Sequence, residues 1–179
     1  TALDAKGLMT AAIRDDNPVF FMEHMALYHG QRDAIPDGDF VIPLGRADVK
    51  RAGRDATVVA SAAMVRKALA AAQTLAREGV EVEVIDLRTI VPLDQDTILD
   101  SVRRTGRALV VQETIRTGGS TAEIAALIGA QCWHELKAPV ARLGTEVVPM
   151  PFARSLEKAA VPDEAAIVAV LRELTGRLP

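Results

Sequence analysis

Thr57-Val58-Val59-Ala60, the helical stretch of residues 62–78, and Val80-Glu81-Val82-Glu83-Val84-Ile85 together decide the fold. The first run is short, β-branched and apolar on both sides, the signature of a strand buried on both faces. Val65, Leu69, Ala72 and Ala76 then recur at three- and four-residue spacing, which draws one apolar stripe along a helix. Gly79 is its stop signal. The second run alternates and then turns continuously apolar. A strand, a helix and a strand in that order make a right-handed crossover between parallel neighbours.

The same alternation extends downstream. Asp94 opens a helix carrying Ile98, Leu99 and Val102, and Ala108-Leu109-Val110-Val111 is a third strand. Ser120-Thr121-Ala122-Glu123 reads as a capping box before Ile124, Leu127 and Ile128. Val140-Ala141-Arg142-Leu143 is a weaker strand. A last helix begins near Pro162-Asp163-Glu164, with acidic residues at its positive end, and runs through Ile167, Val170, Leu171 and Leu174 to Gly176. The expected fold class is α/β: a mostly parallel sheet between two helical layers.

Upstream the pattern differs. Asp4 can cap a short helix with Leu8, Ala12 and Ile13 on one side, ending at Asp15-Asp16-Asn17-Pro18. Val19-Phe20-Phe21-Met22 reads as a short buried strand. Beyond it Gly30, Pro36, Gly38, Pro43 and Gly45 break any period. The expected organisation is residues 1–25 as the remnant of a preceding domain, 26–45 as a linker and 46–179 as the α/β domain. A first residue other than Met agrees with a piece of something larger.

Composition narrows the function. Of 179 residues, 49% are hydrophobic, enough for the core of one domain, and 21 basic against 24 acidic residues give a net charge of -3. A nucleic-acid binder would carry a basic excess, and a disordered chain would be less apolar. No apolar run is long enough to span a membrane, and no signal peptide is visible. Cys132 stands alone, so no internal disulfide forms and a reducing cytoplasm is the expected setting.

Few residues promise chemistry. In parallel sheets ligands gather at the carboxyl ends of strands, which singles out Gln112-Glu113 before the turn Thr117-Gly118-Gly119-Ser120. There Glu113 could orient a substrate or simply satisfy loop N–H groups. His24, His29 and His134 are scattered, with no metal-ligand spacing and no nucleophile beside a base. His134 suits a helix C-terminus and Cys132 a core position. The glycine patterns that cradle phosphates are absent. No catalytic and no cofactor-binding residue is therefore assigned.

Asp4-Ala5-Lys6-Gly7-Leu8 through Phe20-Phe21-Met22-Glu23-His24 closely resembles the beta subunits of thiamine-diphosphate-dependent 2-oxo acid dehydrogenases of pyruvate, branched-chain and acetoin types. Ile42-Pro43-Leu44-Gly45, Val84-Ile85-Asp86-Leu87-Arg88-Thr89-Ile90-Val91-Pro92-Leu93-Asp94, Glu113 with Thr117-Gly118-Gly119, Pro149-Met150-Pro151-Phe152, Leu156-Glu157 and Val161-Pro162 continue it in order. The resemblance implies a transketolase C-terminal domain, a three-layer α/β/α sandwich. It implies an enzyme part that contributes subunit interface and lipoyl-transacylase docking, with pyruvate dehydrogenase favoured, and an isolated chain without activity. Thiamine diphosphate and magnesium would be held elsewhere in the parent enzyme. The partners implied are an alpha subunit and a second beta subunit in a heterotetramer, and the transacylase's subunit-binding domain.

A structural potassium in that family falls on the turn matching Ala12, Ile13, Asp15 and Asn17, where an Asx turn is the simpler alternative. Acidic residues around the last helix, Glu157 and Glu173 foremost with Asp163 and Glu164, are docking candidates; the latter two equally suit the helix dipole. Gln112 departs from the histidine common in relatives, and Ser120 from bulkier residues, so the substrate is not carried over. The alternatives are a stand-alone α/β ligand-binding or regulatory module, or the equivalent domain of a transketolase or deoxyxylulose-phosphate synthase.

Overall fold

A computed structural model describes residues 1–29 and 34–177. One sheet runs in the order β1-β3-β2-β4-β5, built from β1 Asp48–Arg51, β2 Ala56–Ala60, β3 Val82–Asp86, β4 Ala108–Ile115 and β5 Ala141–Thr145. Strands β2 to β5 are mutually parallel, and β1 adds an antiparallel edge to β3. The helices are α1 Ala2–Arg14, α2 Ala63–Ala76, α3 Gln95–Thr105, α4 Ser120–Gln131, α5 Arg154–Ala160 and α6 Glu164–Leu174.

The pleat divides the core into two layers. Val58, Ala60, Val82, Val84, Leu109 and Val111 face α2 and α6, meeting Met64, Ala68, Ala72, Leu75, Ile167 and Leu171. Val59, Ala108 and Val110 point the other way, to Ile98, Val102, Ile124, Ile128 and Cys132 of the α3–α4 side. Each buried Val, Leu, Ile or Met among them contributes about 1.5–3 kcal/mol, the alanines less. Thr57, alone polar in its run, shares its buried hydroxyl with Ser101 at 2.7 Å and Thr105 at 2.8 Å, so no donor is lost. The three-layer α/β/α sandwich expected from the sequence is the fold observed.

Several local expectations fail, each for a physical reason. Thr1, not Asp4, caps α1: its hydroxyl receives the Asp4 N–H at 3.0 Å, and Asp4 occupies the third helical position. Ser120 does not cap α4, because its hydroxyl is spent on the Gln112 side-chain carbonyl; Gly119 is the N-cap residue. Strand β4 continues four residues past Val111, since β5 pairs it as far as Ile115. Residues 19–22 form no strand: among the described residues no neighbouring strand offers them a ladder, and Phe20 is 96% exposed. The edge strand β1 and helix α5 carry too little apolar pattern to be read in advance.

Residues 34–44 run along α1 rather than hanging free. Gly7 has no Cβ to keep Phe40 and Ile42 off the helix, the Ile42 N–H donates to Gly7 O at 3.1 Å, and Lys6 Nζ donates to the carbonyls of Pro36 and Gly38, both at 2.8 Å. Gly30, expected as one of the linker breaks, lies outside the described residues.

Candidate site at the strand switch

The chain goes from β2 to β3 on one side, then crosses back to place β4 on the other side of β2. The carboxyl ends of β2 and β4 therefore border the crevice where open α/β sheets bind ligands. Pairing of β2 with β4 ends at Ala60 opposite Val111. Gln112 and Glu113 follow on β4, where its register with β5 also slips.

Gln112 is buried and accepts the Ser120 hydroxyl, which fixes the turn between β4 and α4. Glu113 is exposed as a residue, with 30% of its side chain accessible, and bridges elements distant in sequence. One carboxylate oxygen meets His24 Nε2, and the other lies 4.0 Å from Lys67 Nζ on α2. Lys67 also donates to Pro162 O at 2.8 Å. His24 Nδ1 is buried and finds no partner among the described residues. The arrangement is one carboxylate between two bases: it can anchor a polar segment or pass a proton along the Glu113–His24 line, and it forms an ion pair when the imidazole is protonated.

Across this crevice Ala62 adopts φ 50°, ψ -129°, a region favourable only for glycine, at the sharp turn from β2 into α2. Ala62→Gly is expected to raise stability by about 1 kcal/mol by removing this strain. A thermal melt of the variant at or below the parent's midpoint would refute the strain.

A second polar cluster lies at the end of β3. Asp4 of α1 accepts the Thr1 hydroxyl at 2.6 Å and Lys50 Nζ at 3.0 Å on one oxygen, and its other oxygen forms an ion pair with Arg88 Nη2 at 2.6 Å. Asp48 holds the same two cations, at 2.6 Å from Lys50 and 2.9 Å from Arg88, while Asp86 accepts the Arg88 N–H at 3.1 Å. Burial pushes the Asp4 carboxyl up, but the hydrogen bonds from Thr1 and Lys50 and the charges of Lys50 and Arg88 outweigh it, leaving it far below the usual carboxylate range. Burial dominates at Asp86 and raises it. For Lys50, burial works downward, and the hydrogen bonds it donates to Asp48 and Asp4 reverse it into a raised value.

The remaining predicted residues are dispersed. Ala12 and Ile13 sit in the last turn of α1, and Asp15 Oδ1 accepts both the Asn17 N–H at 2.9 Å and its side-chain amide at 3.0 Å, an Asx turn. Those hydrogen bonds hold the Asp15 carboxyl below its ordinary value. Glu157 on α5 and Glu173 on α6 are exposed. Asp163 caps α6 by accepting the Ala166 N–H at 2.8 Å, and Glu164 accepts the Thr74 hydroxyl at 3.0 Å, so both have local work. Cys132 is fully buried, and His134 stacks on Trp133. Among the described residues, no three His, Cys, Asp or Glu side chains gather as a metal site, and no helix is long and apolar enough to cross a membrane.

Sequence reasoning found Glu113 but missed both its partners and the whole Asp4–Lys50–Arg88 cluster. These contacts span 46 to 89 residues of chain and have no local spacing that announces them.

The family profile described as "Transketolase, C-terminal domain" matches residues 45–167. The chain is 41% identical over 175 residues to the 2-oxoisovalerate dehydrogenase subunit beta of Bacillus subtilis, covering 97% of this chain and 54% of that one. It is 43% identical to the acetoin:2,6-dichlorophenolindophenol oxidoreductase subunit beta of Cupriavidus necator, covering 97% and 51%. It is 45% identical to the pyruvate dehydrogenase E1 component subunit beta of Rhizobium meliloti, covering 94% and 36%. The chain thus spans about half the length, or less, of these relatives. A solved structure titled "Split gene transketolase, inactive beta4 tetramer" superposes with a TM-score of 0.63 at 28% identity, covering 77% of this chain and 44% of that one.

Proposed function

Because the chain belongs to the transketolase C-terminal domain family, we propose that it works as the C-terminal part of the beta subunit in the decarboxylating component of a 2-oxo acid dehydrogenase. One observation carries this reading. The family profile begins at residue 45, yet the match to the 2-oxoisovalerate dehydrogenase beta subunit covers 97% of the chain. The similarity therefore includes α1 and the segment that bears His24, which a bare transketolase C-terminal domain does not require. Pyruvate is the favoured 2-oxo acid, since pyruvate dehydrogenase beta subunits recur among the relatives.

Thiamine diphosphate would supply the carbanion-stabilising chemistry of such an enzyme. The polar groups at the strand ends do not fit a magnesium–diphosphate group: Glu113 is engaged by His24 and Lys67, and Asp86 by the Arg88 N–H. In this reading cofactor and magnesium are held by other parts of the enzyme. The turn at Ala12, Ile13, Asp15 and Asn17 fits potassium better, because a helix end leaves carbonyl oxygens free and these are hard-cation ligands. It would supply part of a ligand set that a neighbouring segment completes.

The role left to this domain is assembly. Its partners in this reading are an alpha subunit, a second beta subunit and the subunit-binding domain of the lipoyl transacylase. Exposed Glu157 and Glu173 suit a basic docking partner, and Glu173 borders an apolar groove of about 280 Å³ between α6 and the residues leading into β5. The lone buried Cys132 suits a reducing cytoplasm.

The test is a chimera in which this chain replaces the corresponding residues of the Bacillus subtilis beta subunit. It is expected to assemble with its alpha subunit, decarboxylate a 2-oxo acid, and bind the subunit-binding domain in a manner weakened by salt and by Glu173→Lys. The chain alone is expected to give no turnover above buffer. A folded chimera that fails to assemble, or turnover by the chain alone, would overturn the reading.

A further inference from the structure

At the other end of the sheet, where β2, β3 and β4 begin, lies a cavity of about 120 Å³ lined by Asp55, Gly79, Val80, Arg107, Thr175 and Arg177. Asp55 precedes β2, Gly79 and Val80 join α2 to β3, Arg107 precedes β4, and Thr175 and Arg177 follow α6. These walls all belong to the α/β domain itself. The chain ahead of β1 makes its ion pairs to that domain at the opposite end, from Asp4 to Arg88 and from His24 to Glu113.

Backbone groups aim the charged side chains of this cavity. Arg177 Nη1 donates to Glu78 O at 2.8 Å, and its Nη2 lies 4.0 Å from where a Cβ on Gly79 would stand. Arg107 Nη1 donates to Asp55 O at 3.3 Å. Each guanidinium thus spends one of its donors, and neither forms an ion pair with a described residue. Asp55 Oδ2 accepts the Glu81 N–H at 2.7 Å, while Oδ1 has no partner among the described residues. Carbonyls at the two helix ends that would repel an anion are already occupied. Leu171 O takes the Thr175 hydroxyl, Arg172 O the Arg177 N–H, and Leu75 O the Val80 N–H.

Two guanidiniums and one carboxylate around so small a space select a narrow class of ligand. Arginine forks match the oxygens of an oxyanion. A carboxylate oxygen beside them repels that oxyanion unless it brings a proton to donate. Drug-sized ligands take about 300 Å³ or more, so this cavity suits a single small group. We propose that it binds a phosphate group that retains a proton: Arg107 and Arg177 hold the charged oxygens, and Asp55 Oδ1 accepts the P–O–H. Sulfate has the same shape but no proton to offer near neutral pH, so Asp55 rejects it. The inference is independent of the assembly role.

The side-chain Nε resonances of Arg107 and Arg177, followed in the whole chain at constant ionic strength, test it. Inorganic phosphate is expected to shift both and to saturate with a Kd of about 1 mM or tighter. Sulfate is expected to bind at least about tenfold more weakly. Methyl phosphate, standing for a monoester, should bind at pH of about 5 and fail at pH of about 8, because its last proton leaves near pH 6. Inorganic phosphate keeps a proton at both and should bind at both. If methyl phosphate at the lower pH binds more tightly than inorganic phosphate, the group is the end of a larger molecule; if more weakly, it is free phosphate. Arg177→Gln, at an exposed position, should weaken phosphate by about tenfold. Asp55→Asn keeps a carbonyl for the Glu81 N–H and should let sulfate bind as tightly as phosphate. If Asp55→Asn does not fold, the methyl phosphate pair decides the role of the proton. Phosphate that shifts neither arginine or never saturates, sulfate that matches it in the parent, or methyl phosphate indifferent to pH would overturn the site.

Discussion

Asp4→Ala is expected to lower stability by about 3 kcal/mol, because it leaves two partly buried cations facing a hole where their shared anion stood. Asp4 is 5% exposed and takes hydrogen bonds or ion pairs from Thr1, Lys50 and Arg88. Asp48 remains, but a single carboxylate already bonded to both cations cannot replace the second. The loss should be felt first by α1, whose other holds include buried Leu8, the packing of Phe40 and Ile42 against Gly7 and the bonds of Lys6 to Pro36 and Gly38. Urea unfolding at neutral pH measures it, and a change below about 1 kcal/mol would mean the cluster is solvent-screened.

Acidity should narrow the gap between parent and variant, and the direction is fixed by sign. The Asp4 carboxyl lies below its ordinary value in the folded chain, so its contribution is complete above the unfolded value of about 3.9 and is lost as pH falls toward the folded one. Asp86 is raised, so its protonation on the way down favours the folded state and partly offsets that loss. The parent should thus lose stability in acid more steeply than Asp4→Ala, which keeps the other carboxyl shifts but lacks that of Asp4. Parallel curves for the two proteins between neutral pH and pH of about 3 would contradict the assignment.

The contrast between α2 and residues 19–22 shows what a sequence can disclose about this fold. Helix α2 was legible because its stripe of Val65, Leu69 and Ala72 depends only on its own spacing, and the sheet it covers was legible because both faces of β2 and β4 are apolar. Val19-Phe20-Phe21-Met22 has equal strand propensity, but a strand is a relation between two segments and none of the described residues pairs with this one. Ser120 teaches the same at a smaller scale. Its S-x-x-E spacing fits a capping box, but the Gln112 amide, eight residues upstream, takes the hydroxyl instead. The site followed suit: the strand-end rule located Glu113, while His24, 89 residues away, became its partner only through the path the chain takes after α1.

Gly119→Ala is the substitution expected to damage the site most, and its neighbour provides the control. Gly118 has φ +73° with nothing near its missing Cβ, so Gly118→Ala carries only the left-handed backbone penalty of about 1 kcal/mol. Gly119 has an ordinary extended φ of -83°, so backbone conformation gives no reason for glycine there. Its reason is contact: a Cβ would overlap the carbonyl oxygen of Ile115 and come within 2.8 Å of Thr114 Cγ2. Neither atom is the free end of a flexible side chain, so the turn itself must move off the end of β4. That movement draws Ser120 away from the buried Gln112 and leaves its amide oxygen without the hydroxyl. Overpacking together with the lost bond gives an expected cost of about 3 kcal/mol. Denaturant unfolding of the two variants side by side measures the difference. If Gly118→Ala proved the more damaging, backbone conformation rather than close approach would set the requirement for glycine at this turn, and Glu113 would owe its position to something other than the fit between β4 and the start of α4.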